Sequence, residues 1–101
     1  MDNKKMISWL SDMMKYFDEL AEDAYFDKNE NDYIQFRGLA DDLIPARAYL
    51  TSKCCEVAET LGGIWRAKDY FRFKHESAQH SQECFTRLSQ IEAYLKGEMS
   101  L

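Results

Sequence analysis

Apolar side chains recur at steps of three and four along almost the whole chain, and only one proline and four glycines interrupt them. That step is the period of an amphipathic helix, and so long a run with so few breakers excludes most other architectures. Val57 is the only valine. A sandwich or barrel needs runs of β-branched residues and frequent turns, so the chain is read as all-α. At 101 residues it is one domain, residues 1–101, and its six Phe, six Tyr and two Trp must supply much of the core.

The pattern divides into three segments. In the first, from about Asn3 to Asp27, Met6, Leu10, Met13, Phe17, Leu20 and Ala24 form a seam, widened by Ile7, Met14 and Ala21. A polar stretch, Asp27 to Asp32, follows and is read as a helix-to-helix turn with Asn31 or Asp32 as the N-cap. Its spacing of Asp27, Asn29 and Asn31 matches the start of a calcium-binding loop. Asp32 stands where that loop needs glycine, however, and Gly38 where it needs glutamate. The second segment carries Phe36, Leu39, Leu43, Leu50, Cys54, Val57 and Leu61, with a kink or restart expected at Pro45. Leu61-Gly62-Gly63-Ile64 reads as a glycine-terminated reversal, after which the third segment runs from Ile64 to Lys96. The expected fold is therefore an antiparallel bundle of three long helices. It becomes four if a segment breaks at Pro45 or around the polar stretch His75 to His80.

Charge is unevenly spread. Met1 to Pro45 holds eleven acids and five bases, whereas Ala46 to Leu101 holds seven acids and eight bases, for a net charge of −5. Asp18, Glu19, Glu22, Asp23 and Asp27 crowd the C-terminal part of the first helix, where carboxylates oppose the helix dipole. Stability does not call for acids there, so this patch, with Asp41 and Asp42, is the candidate contact surface for a larger protein partner with a basic surface. A pair between Arg47 and Asp12 at the bundle edge is expected if the first two segments run antiparallel, the alternative being that Arg47 extends to water. Bundles this slender leave apolar edges, which points to a homodimer.

The competing reading rests on Trp65 to His75, which interleaves four positive charges with four aromatics. Cations neutralise phosphates and aromatic faces stack on unpaired bases, so Trp65, Lys68, Arg72 and Lys74 form an alternative nucleic-acid surface. The same bases could instead pair with the acidic half of the chain.

Chemistry finds little to stand on. His75, Glu76, His80, Glu83 and Cys84 bring metal-ligating types together, but no second cluster completes a coordination sphere, so no metal or other cofactor is expected. No Gly-rich loop or nucleophile elbow is present, and the expected protein is not an enzyme. Cys54 and Cys55 fall mid-helix in this reading, where neighbours cannot join without strain; with Cys84 they are read as reduced thiols of a cytoplasmic protein. Asp12 cuts short the apolar run beginning at Met6, and no stretch approaches a membrane span or a secretion signal. The expected function is a small, acidic, non-catalytic binding module acting as an adaptor or inhibitor.

Overall fold

The computed structural model describes residues 2–73 and 77–98. Among these residues the chain is all-helical, with α1 (Asn3–Phe26), α2 (Glu30–Asp42), α3 (Ile44–Ser52), α4 (Val57–Arg72) and α5 (Ala78–Glu98). Asp2 caps α1 by accepting the Lys5 N–H at 2.8 Å. The helix then buries Met6, Leu10, Met13, Phe17, Ala21 and Ala24, so the seam holds except that Ala21 replaces Leu20 as its fully buried member.

Lys28 closes α1 in the left-handed region at φ 58°. Its N–H and that of Asn29 turn back to the carbonyls of Tyr25 and Ala24, the two-bond closure of a Schellman motif. Asn29 then caps α2, accepting from the Asp32 N–H at 3.1 Å. The cap is therefore Asn29 and not Asn31 or Asp32. Asp32 contributes from the third helical position, where its carboxylate accepts from the Asn29 side chain at 2.8 Å.

Pro45 acts as expected. It stands in the first turn of α3, where its missing N–H is harmless, and a single residue, Leu43, separates α2 from α3. The glycine pair does not. Residues 57–72 form one helix that runs through Gly62 and Gly63, and no glycine has positive φ. A Cβ on Gly63 would lie 1.8 Å from the backbone oxygen of Asp42. This glycine is required by a close approach of two helices and not by a turn. The reversal lies instead at residues 53–56, and α5 runs back along α4, with Trp65 meeting Glu92 and Phe71 meeting His80.

Three long helices thus become four columns, α1, α2 with α3, α4 and α5. Side-chain pairs give their directions. Asn3 donates to the Leu50 carbonyl at 2.9 Å and Arg37 pairs with Asp18, so α1 runs against α2 and α3. Arg66 meets Asp42 at 2.9 Å and Tyr70 meets Phe36, so α4 runs against α2. The anticipated Arg47–Asp12 pair is replaced by a hydrogen bond from Arg47 to Ser11 at 3.3 Å. All four columns meet in an aromatic knot: Phe17 packs on Tyr70 and Phe71 (5.5 and 5.8 Å between ring centres), Phe36 on Tyr70 (5.8 Å), and His80 on Phe71 (6.0 Å).

Two glycine substitutions separate close packing from helix propensity. Gly63→Ala is expected to lower stability by about 2 kcal/mol or more, because backbone must move to admit the methyl group. Gly38→Ala meets nothing within 4 Å and should raise stability by about 0.5–1 kcal/mol. Urea unfolding followed by circular dichroism checks both.

Candidate docking surface

The end of the α1–α2 hairpin carries the densest charge of the chain. Between Asp18 and Asp32 stand seven acids and one base, Lys28. These acids are not equivalent. Asp18 pairs with Arg37, whose other nitrogen lies 3.8 Å from Asp41, and Asp42 is held by Arg66. Glu19, Glu22, Asp23 and Asp27 are exposed and have no cationic partner among the described residues. Of the seven acids singled out from sequence, three are therefore occupied by internal cations. The four that remain lie along the last turns of α1.

Beside them lies a feature that the acidic pattern does not announce. Tyr25 and Phe26 are 66% and 71% exposed, and Tyr33 and Ile34 on α2 are also exposed. Tyr25 touches Phe26 edge-on at 5.8 Å and Tyr33 at 5.9 Å between ring centres. With Ala24, Lys28, Asn29 and Glu30, the three rings line a surface cleft of about 570 Å³. A second depression joins Tyr25 and Tyr33 to Asp18, Glu22 and Arg37, so the aromatic and acidic surfaces are continuous. The signal was present in the sequence: Tyr25 and Phe26 follow the last seam residue, Ala24, and fall off the buried stripe. Exposed adjacent aromatics on a rigid helical hairpin supply contact area at little entropic cost, the usual property of an interface anchor.

The basic-aromatic run is placed differently. Lys68 forms an ion pair with Glu92 of α5 at 2.9 Å, with only 13% of each side chain exposed, and the Trp65 indole N–H donates to the same carboxylate. Lys68 and Arg72 stand over the Phe85 ring at 4.9 and 5.7 Å, and Arg72 also pairs with Asp69 at 3.3 Å. Lys96 reaches both Glu92 and the Trp65 ring. The run binds α4 to α5, and among its described residues only Arg66 pairs with the acidic half, through Asp42. Lys74 and His75 lie outside the described residues.

Of the candidate metal residues, His75 also lies outside the described residues, and the structure brings His80 and Cys84 together. Cys84 is buried with its sulfur 3.6 Å from His80 Nε2, and Glu76 lies outside the described residues. Among the described residues no group of three or more His, Cys, Asp or Glu is disposed to hold a metal ion. No described helix is long and apolar enough to cross a membrane. No protein family, curated protein or solved structure matches the chain.

Glu92 is the electrostatic centre of the α4–α5 contact. Burial favours its neutral form, but hydrogen bonds from Lys68 and Trp65 and the charges of Lys68 and Lys96 outweigh that, and the carboxyl titrates below its ordinary 4.5. A carboxylate whose pKa is depressed on folding stabilises the protein above its unfolded value. That contribution is lost as pH falls from about 4.5 through the lower folded value. Glu92→Gln should therefore flatten the acid side of the stability profile, measured by urea unfolding at stepped pH. An unchanged acid slope would remove Glu92 from this role.

Proposed function

We propose that this chain is a small, non-catalytic protein-binding module, an adaptor or inhibitor, that docks the acidic end of its α1–α2 hairpin on a larger protein with a basic surface. One observation carries the reading. Glu19, Glu22, Asp23 and Asp27 lack internal cations and stand beside Tyr25, Phe26 and Tyr33, whose rings are left open to solvent. Such acids repel one another and oppose the dipole at the C-terminus of α1, so a cationic partner relieves a strain that the isolated module carries. The rings supply apolar area at the centre of that contact, and the carboxylates supply orientation and rate of encounter.

The nucleic-acid reading draws less support, because Trp65, Lys68 and Arg72 are already engaged with Glu92, Asp69 and Phe85. That no disulfide joins Cys54, Cys55 and Cys84 supports a reducing compartment such as the cytoplasm. Two copies are proposed to associate through the uncovered edges that carry Trp65 and Tyr94, and light-scattering mass on a sizing column checks this against a monomer.

The docking reading predicts that function and stability separate at the hairpin end. Phe26→Ala removes a ring that is mostly exposed and should change unfolding free energy by no more than about 0.5 kcal/mol. It should nevertheless weaken binding to a partner captured from the source organism's own extract by about tenfold or more. The triple change Glu19→Lys, Glu22→Lys and Asp23→Lys should slow association and abolish its salt dependence. Binding that survives both sets of changes would refute the assignment.

A further inference from the structure

Cys54 and Cys55 do not lie in a helix. α3 ends at Ser52, Lys53 takes the left-handed conformation at φ 58°, and α4 begins only at Val57. Adjacent side chains on a helix diverge by about 100° and cannot meet, but in this connection the two sulfur atoms lie 3.9 Å apart. Cys54 is exposed and Cys55 half-buried. A disulfide needs its sulfurs at about 2.05 Å, so they must close by roughly 2 Å. Cys54 Sγ donates to the Ala48 carbonyl at 3.9 Å, but no backbone–backbone hydrogen bond among the described residues engages either cysteine, so the peptide between them can reorient without opening a helix. The third thiol, Cys84, is buried in the core.

We propose that Cys54 and Cys55 form a vicinal dithiol that a hydroperoxide oxidises to a disulfide between the adjacent residues. The Cys54 thiolate attacks one peroxide oxygen and the O–O bond breaks. The other oxygen leaves as water (or as an alcohol from an organic peroxide), and Cys54 becomes a sulfenic acid. The Cys55 sulfur then attacks the Cys54 sulfur. An S–S bond forms, the S–O bond breaks, and a second water carries away the sulfenic oxygen with the Cys55 proton. Two thiols are oxidised and one peroxide is reduced.

The surroundings assign the two roles. Hydrogen bonding with Ser52, then with Cys55, holds the Cys54 thiol below its ordinary 9.0 and favours the attacking thiolate. Burial, then the neighbouring Cys54, pushes Cys55 up, which suits a thiol that waits to resolve the sulfenic acid. This inference is independent of the docking surface, because residues 53–56 lie at the end of the columns where Asn3 meets Leu50 and Lys53 pairs with Glu98.

The test treats the reduced full chain with a small excess of hydrogen peroxide and follows free thiols and intact mass. The expected result is a fall from three free thiols to one, with a mass loss of about 2 Da within a single chain, reversed by dithiothreitol. Cys55→Ser should stop at a sulfenic acid that dimedone traps on Cys54, and Cys54→Ser should lose its thiols at least tenfold more slowly. Phenylarsine oxide, which bridges paired thiols, should bind the wild type one to one and neither serine variant. The proposal is overturned if the wild type gains oxygen without losing hydrogen, or links into chains of doubled mass. It is equally overturned if Cys54→Ser reacts at the wild-type rate, or if the arsenical fails to bind the wild type.

Discussion

The fold depends on one backbone contact. The carbonyl of Asp42, at the C-terminal end of α2, occupies the space that any side chain at position 63 would need. Two glycines inside a helix cost about 1 kcal/mol each relative to alanine, a loss that only close packing offsets. With α2 pressed against α4 at that point, the Asp42 carboxylate meets Arg66 one turn further along, and Phe36 meets Tyr70 two turns further. Tyr70 and Phe71 then reach Phe17 on α1, and Phe71 reaches His80 on α5. The aromatic knot joining the columns thus follows from the separation that Gly63 permits.

This contact also explains what the sequence conceals. A glycine pair after a helical run is the mark of a C-cap, and the same two letters serve a close helix crossing. Pattern alone cannot distinguish them, because the deciding atom, the Asp42 oxygen, is twenty-one residues away. The true reversal at 53–56 contains neither glycine nor proline. Its signal is quieter: the Thr51 and Ser52 hydroxyls donate back to the carbonyls of Arg47 and Ala48 and weaken the helix where it ends. The α1 seam and the restart at Pro45 were legible because both are local. Misplacing the reversal placed Cys54 and Cys55 inside a helix and hid the proximity of their sulfurs.

The candidate surface was legible in the same partial way. Acids at the C-terminus of α1 can be counted in the sequence, but whether each is neutralised depends on which helix lies opposite. Arg37 on α2 reaches back to Asp18, and Arg66 on α4 takes Asp42. Lys53 holds Glu98 and Lys68 holds Glu92 across columns, with Lys96 adding a second cation to Glu92 from its own helix. Because acids outnumber bases, some carboxylates remain after this pairing, and the packing leaves Glu19, Glu22, Asp23 and Asp27 together. Tyr25, Phe26 and Tyr33 are exposed there because the hairpin's inward faces are already filled by Ala21, Ala24 and Leu39.

The two chemically available features of the chain lie at opposite ends of a body 43 Å long. At one end the α1–α2 hairpin presents unpaired acids and open rings; at the other the α3–α4 connection presents two thiols. The interior between them is tied by Gly63 and the aromatic knot, and packed interiors change between discrete arrangements and do not deform continuously. A disulfide closing between Cys54 and Cys55 can be absorbed by that short connection, because neither cysteine makes a backbone–backbone hydrogen bond among the described residues. Coupling to the docking end would require α3 or α4 to shift past Asp42, where Gly63 leaves no space to move inward. Oxidation of the dithiol should therefore act on its own end of the molecule and leave the acidic hairpin as it was.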